Sequence, residues 1–287
     1  QQIEKSTRVK ARVKAHALKE IISIKDEIYV MGHRMGDTDS FGASVGIYRI
    51  AKTLGKQAHI VLNDVTSSMK PMVDIFINNN EYEDSMIITG AQALEMIGGN
   101  SVLVVVDVNK PSITECPDLL KHCNSIVVFD HHRQGSEVIE NATLSYIEAY
   151  ASSTCEMVSE ILQYTSDTLR IRPEEADCLY AGIMIDTDNF MAKAGVRTFE
   201  AVAFLRRNGA DVTRVRKLFR DDAIEYKTKA DAVSQAEIYR QSYAITVCRG
   251  EHVQNPTIVG AQAANELLNI KGVKASFVLT EYNGKIF

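Results

Sequence analysis

Between Glu27 and Phe129 short apolar runs alternate with helical stretches, the pattern of βα units wound into a mainly parallel α/β sheet. Strands are predicted at Glu27–Met31, Ala58–Leu62, Met86–Ile88, Ser101–Val106 and Ser125–Phe129, with helices between them such as Ser40–Leu54, whose first turn Ser40 can cap. Beyond Ser152 the pattern turns largely helical, at Ser153–Tyr164, Pro173–Ile185, Thr198–Asn208, Val212–Phe219 and along a charged stretch from Asp221 to Gln241. Strand signals return at Tyr243–Cys248 and Ala275–Tyr282, on either side of the helix-like Ile258–Leu268. That is the outline of a smaller second α/β unit.

Ahead of the first strand, Lys5–Ile22 sets Val9, Val13, Ala17, Leu18, Ile21 and Ile22 near helical spacing, with Arg8, Lys10, Arg12 and Lys14 between them as a solvated face. The expected organisation is a lead-in linker helix at 1–22, a main domain with its helical connector at 23–221, and the second unit at 222–287. No capping signal precedes the first helix, and Gly284-Lys285-Ile286-Phe287 resembles a hairpin starting its return strand. Both ends therefore read as cut from something longer.

A chain of 287 residues, 45% hydrophobic and 24% charged, has the composition of a soluble globular protein and can bury a full core. A net charge of -5 argues against a broadly basic surface, so no long nucleic acid is expected as partner, while small phosphorylated substrates remain open. Cys116, Cys123, Cys155, Cys178 and Cys248 form neither a CxxC pair nor a zinc-ligand spacing, and are read as buried thiols of a reducing cytoplasm. No run approaches the roughly 18 apolar residues that cross a bilayer.

Polar residues with metal-binding side chains follow four of the predicted hydrophobic elements. His33-x3-Asp37-x-Asp39 offers an imidazole and two carboxylates, enough to hold a hard divalent cation and bridge toward a second; a turn rich in Asp is the competing reading. Asp107 ends five consecutive apolar residues, where a buried carboxylate needs a partner, though it could equally cap the following turn. Asp130-His131-His132-Arg133 is sharper: one imidazole can bind metal while its neighbour faces a phosphate oxygen, and Arg133 offers a fork suited to phosphate. Asp186 closes an apolar helix in which Ala181 and Gly182 would allow close packing on the sheet. Such groups at the strand ends of an open α/β sheet converge in its ligand crevice. Four clusters in this order point to a metalloenzyme.

The order HxxxDxD, D, DHHR, D resembles the DHH phosphoesterase superfamily, which includes RecJ-like nucleases, nanoRNA hydrolases and family II inorganic pyrophosphatases. Gly32–Gly42, Ala151-Ser152-Ser153-Thr154 and Gly195-Val196-Arg197-Thr198-Phe199-Glu200 are similar to the cyclic-di-AMP phosphodiesterases of membrane-tethered bacterial sensor proteins. The resemblance implies a Rossmann-like catalytic domain followed by a DHH-associated substrate-binding domain, here incomplete at its C-terminal end. It implies two divalent ions, manganese by preference, with His33, Asp37 and Asp107 on one, Asp39, Asp107, His131 and Asp186 on the other, and Asp107 bridging. Asp130 would orient a motif histidine, and His132 and Arg133 would contact the scissile phosphate. The implied reaction opens cyclic-di-AMP to the linear dinucleotide pApA. The alternatives are a nanoRNA or 3′-phosphoadenosine phosphate hydrolase acting on short linear substrates, and a catalytically silent nucleotide sensor. Expected by the same resemblance are a cytoplasmic site of action at the inner face of the plasma membrane, with homodimers among the expected assemblies. A Gly-rich segment ending in a His, which grips substrate in such relatives, is not matched in this sequence, so substrate affinity is expected to be reduced.

Overall fold

The computed structural model describes residues 2–77, 79–250, 253 and 255–287 and divides into two units, Gln1–Leu218 and Phe219–Phe287. In the first unit the order is α1 (Gln2–Ser23), β1 (Glu27–Met31), α2 (Thr38–Thr53), β2 (Gln57–Val61), α3 (Lys70–Ile77), β3 (Ile87–Ile88), α4 (Gly90–Met96) and β4 (Ser101–Val106). There follow α5 (Leu119–His122), β5 (Ile126–Asp130), β6 (Leu144–Ile147), α6 (Thr154–Thr165), α7 (Pro173–Asp186), α8 (Val196–Arg207) and α9 (Val212–Leu218).

Six strands form a wholly parallel sheet in the order β3-β2-β1-β4-β5-β6. Its two central strands explain the continuous apolar runs: every residue of β4 and four of the five in β1 are buried, as covering both faces of a parallel sheet requires. Strand order reverses between β1 and β4, the switch point beyond whose carboxyl ends such sheets open a crevice. On one face Tyr29, Met31, Leu103, Val105 and Val128 pack with Ala93 and Leu119. Helices α2, α6 and α7 pack together, and α1 lies on α6. The predicted lead-in helix thus buries Ala11, Ala15, Leu18 and Ile22 completely; Leu18 and Ile22 contribute about 2 kcal/mol each by leaving water.

In the first unit three expectations are corrected. The N-cap of α2 is Asp37, whose Oδ1 accepts the Ser40 amide at 3.0 Å, and Ser40 itself lies inside the helix. Gly182 packs against the neighbouring helices rather than the sheet, since a Cβ there would lie 2.4 Å from Cys155 Sγ and 3.0 Å from the Asp39 Cα. β6 is a further strand at the sheet edge, only four residues long, and a run that short carries little periodicity.

The second unit contains α10 (Ala223–Ser234), β7 (Glu237–Tyr239), β8 (Tyr243–Cys248), α11 (Pro256–Leu268), β9 (Ala275–Tyr282) and β10 (Lys285–Ile286). Its sheet runs β10-β9-β8-β7, with β8 and β9 parallel across α11 and antiparallel edges. The charged stretch read as one helix to Gln241 ends at Ser234, because residues 237–239 pair with β8. Ala232, Cys248, Val259 and Ala263 form its small core.

Candidate active site

Three separate loops of the first unit carry the polar clusters to one place. The turn after β1 brings His33 and Asp37; Asp39 sits in the first turn of α2; Asp107 follows β4; and His131 and His132 follow β5. Asp186 arrives from elsewhere, as the last residue of α7. The groups His33–Asp37–Asp107, Asp39–His131–Asp186 and Asp107–His131–His132 each offer donor atoms within 4.8 Å of one another.

Asp107 is the centre of this arrangement. Its Oδ2 faces His33 Nε2 at 3.5 Å, and the same nitrogen lies 3.6 Å from Asp37 Oδ2. Its Oδ1 faces His131 Nε2 at 3.4 Å, a nitrogen that also lies 3.4 Å from Asp186 Oδ2 and 3.7 Å from Asp39 Oδ2. One carboxylate therefore addresses two neighbouring clusters with different oxygens. The backbone turns sharply to do this: Asp107 has φ 60°, a left-handed conformation that costs a non-glycine residue on the order of 1 kcal/mol. Its amide is held by the Phe129 carbonyl at 2.8 Å and its Oδ1 by the Thr154 hydroxyl at 3.0 Å.

Asp39 is fully enclosed and sits over the amino end of α6, where the Thr154 and Cys155 amides donate to its two oxygens at 2.7 and 2.8 Å. Those amides have no partners within the helix, and the helix dipole favours an anion there. Within Ala151–Thr154, Ser153 caps α6 by accepting the Glu156 amide. Buried Glu156 accepts in turn from the Ser152 and Thr198 hydroxyls, and Arg197 clasps Glu160 at 2.8 and 2.7 Å. The 195–200 segment thus braces the base of α6.

Electrostatically the cluster is short of positive charge. Burial, with the Asp107 and Asp186 charges added, pushes the Asp39 carboxyl well above its usual range, and burial also raises Asp186. Burial works to raise Asp107, but His131 and His33 outweigh it and hold that carboxyl below the usual range. The facing Asp107 and Asp37 carboxylates push His33 up to about 10. Burial opposes the charge on His131, yet Asp107, Asp39 and Asp186 raise it to about 9. The raised imidazoles mark a place that favours positive charge. The donors are carboxylate oxygens and imidazole nitrogens, with no thiol among the grouped side chains, a set that fits divalent ions such as Mn²⁺ or Mg²⁺. Cys155, the nearest thiol, is spent on the Asp39 carbonyl, and burial raises its pKa well above the ordinary value.

His132 is set apart from the other imidazoles. Its Nδ1 lies 2.8 Å from Asp130 Oδ1, which also accepts the His132 amide at 3.1 Å. Because an ionised carboxylate only accepts, Nδ1 carries the proton and Nε2 is left for another partner. The ring is 58% exposed and lines a cavity of about 530 Å³ together with Arg133, Asn109, Lys110, Ile113 and Glu137. Sequence reading missed the far wall of that cavity, where Glu137 accepts from the Ser112 amide and hydroxyl at 2.9 Å each. Loop residues of ordinary type, without apolar periodicity, carry no signal that would have marked them.

The pattern of the DHH family, N-terminal domain, matches residues 27–183. The chain is 40% identical over 281 residues to the cyclic-di-AMP phosphodiesterase PdeA of Listeria monocytogenes, covering 97% of this chain and 42% of that protein. It is 38% identical over 282 residues to the cyclic-di-AMP phosphodiesterase GdpP of Bacillus subtilis, covering 96% of this chain and 42% of the relative. Both relatives are thus much longer than the chain described. In fold it is similar to the crystal structure of an exopolyphosphatase-related protein from Bacteroides fragilis, at 18% identity and a TM-score of 0.76 over 96% of this chain and 81% of the other. Since the family pattern runs over more than half of the sequence and takes in the loops after β1, β4 and β5, the chain belongs to the DHH family.

Proposed function

We propose that this chain is a manganese-dependent phosphodiesterase that opens cyclic-di-AMP to the linear dinucleotide pApA. The observation that carries the chemistry is Asp107, turning one oxygen to His33 and Asp37 and the other to His131. The substrate is argued from the likeness to a cyclic-di-AMP phosphodiesterase along 97% of this chain. One ion would be held by His33, Asp37 and Asp107, and the other by Asp39, Asp107, His131 and Asp186. When bound, such a pair of ions supplies Lewis-acid stabilisation of the attacking and leaving oxygens and lowers the pKa of water.

The chain's own residues divide the remaining work. Asp130 fixes the ring of His132 and favours its doubly protonated form, so that Nε2–H donates to a non-bridging oxygen of the scissile phosphate. Arg133 lines the same cavity and supplies a planar fork to the phosphate. Water attacks phosphorus on the side opposite the departing 3′ oxygen. As the new O–P bond forms the water gives up a proton, the P–O3′ bond breaks, the 3′ oxygen takes up a proton in exchange, and the phosphate stays on the 5′ side, as pApA requires. Buried Asp39 and Asp107 and half-buried Asp186 supply carboxylates where cations are needed, and the α6 amides keep Asp39 from turning away. In a longer protein the same unit would work in the cytoplasm against the inner face of the plasma membrane.

The deciding experiment is a panel of cyclic and linear dinucleotides, of adenine and of guanine, with Mn²⁺, Mg²⁺ and Co²⁺. The expected result is Mn²⁺-dependent opening of cyclic-di-AMP, faster than cleavage of linear dinucleotides. Faster turnover of the linear compounds would replace this reading with a nanoRNA hydrolase. Tight cyclic-di-AMP binding with no turnover under any metal would replace it with a sensor.

A further inference from the structure

We infer that Asn109 is a positioning residue for the phosphodiester reaction, acting through Asp130 to hold His132 at a single setting. This rests on the reading above that His132 faces the scissile phosphate.

Asn109 lies two residues beyond Asp107, in the loop that leaves β4, and is 6% exposed. Its Nδ2 donates to Asp130 Oδ2 and approaches the His132 carbonyl at 3.4 Å. Asp130 is completely buried, and its other oxygen accepts both the His132 ring Nδ1 and the His132 amide. The carboxylate thus bridges an amide on one side and an imidazole on the other. A bond to Oδ2 from a fixed donor stops the carboxylate from rotating about its own axis, so Oδ1 stays aimed at the ring. The opposite rotamer of the amide would set its oxygen against a carboxylate, so the donor orientation is the only one the chemistry permits. Asn109 is itself anchored, because its carbonyl accepts the Ile139 amide at 3.2 Å and so ties down the loop that leaves His132.

His132 needs this support more than the other imidazoles do. The His33 and His131 rings are largely enclosed and each faces two or more carboxylates, whereas the His132 ring is mostly exposed. Among the described residues, the one other carboxylate within 4 Å of it is Asp107, at 3.6 Å. An exposed ring held through one nitrogen takes its direction from whatever holds that partner. A ring that swings by a few tens of degrees misses the phosphate oxygen, which reduces turnover without loosening substrate.

The test is a double-mutant cycle on the Mn²⁺-loaded protein. kcat and KM for cyclic-di-AMP are measured for Asn109→Ala, His132→Ala and the double variant, and Mn²⁺ affinity is measured by calorimetry for each. Asn109→Asp, isosteric but lacking the donor, serves as a second variant should Asn109→Ala fold poorly. Either single Asn109 variant is expected to lose about 10- to 100-fold in kcat, with KM within about threefold of the parent and Mn²⁺ affinity unchanged. In the His132→Ala background Asn109→Ala should cost no more than about twofold, because its effect passes through a ring that is gone. Losses that multiply, or Mn²⁺ affinity that falls in step with kcat, would overturn the assignment while leaving His132 in its role. Full turnover by His132→Ala alone would overturn both.

Discussion

Removing the Asp107 carboxylate takes a donor from both clusters at once, whereas removing the His132 ring takes none from the enclosed pair of imidazoles. Asp107→Ala is therefore expected to lose about a thousandfold or more in kcat/KM together with bound metal, while circular dichroism stays that of the parent. His132→Ala should lose about 10²- to 10⁴-fold in kcat and keep its metal content by elemental analysis. A second consequence concerns pH. His33 is raised from 6.5 to about 10 in the folded, metal-free protein, so its contribution to stability is fully present below 6.5 and is lost as pH rises through 10. His131, raised to about 9, acts in the same sense. In chelator the melting temperature is expected to fall between pH 6.5 and 10, and with Mn²⁺ bound that fall should be much smaller, since the metal takes the place of the protons. Parallel melting curves across that range would separate these imidazoles from the carboxylates they face.

Helix packing sets where Asp39 and Asp186 stand, on α2 and α7. α2 approaches α6 and α7 so closely that a Cβ at Gly42 would lie 2.6 Å from the Cys178 carbonyl and 2.7 Å from Cys155 Sγ. Gly182 makes the reciprocal approach from α7, beside Asp39. A larger residue at either position pushes α2 outward and drags Asp39 off the α6 amides. Gly182→Ala is expected to destabilise the protein by about 1–3 kcal/mol in spite of alanine's better helix propensity, and to weaken Mn²⁺ binding as well. Gly98→Ala, with nothing within 4 Å of the new methyl, is the matched control and should leave metal affinity unaltered. Denaturant melts and calorimetry on the two variants check both halves of this statement.

At the scale of the molecule the site follows from strand order. β1 and β4 are neighbours and their connections leave to opposite sides, so the loops carrying His33, Asp37 and Asp107 open side by side. β5 lies next to β4 and adds His131 and His132 from the same end. Every proposed ligand belongs to the first unit, which closes at Leu218. A chain ending at Leu218 is accordingly expected to bind Mn²⁺ with the affinity of the full 287 residues. A large loss of affinity in calorimetry would mean that the ligand set is incomplete.

Sequence by itself determined the central strands, because a parallel strand buried on both faces must be written as an unbroken apolar run; Glu27–Met31 and Ser101–Val106 are read to the residue. It also determined the order of the polar clusters, since a carboxylate or imidazole placed directly after such a run stands out against it. Edge strands β6 and β7 escaped notice, being short and partly or wholly exposed, so that burial imposed little pattern on them. The cap of α2 was misplaced because Asp37 and Ser40 both have capping side chains, and only backbone geometry separates Asp37 at φ -123° from a residue inside the helix. Asp39 meets amides 115 and 116 positions away, a pairing that no local periodicity can encode. The left-handed turn at Asp107, the division of its oxygens between two clusters and the bond from Asn109 to Asp130 likewise exist only once β1, β4 and β5 lie side by side. Local sequence writes burial and turns, whereas the direction of each carboxylate lone pair is decided by the elements packed around it.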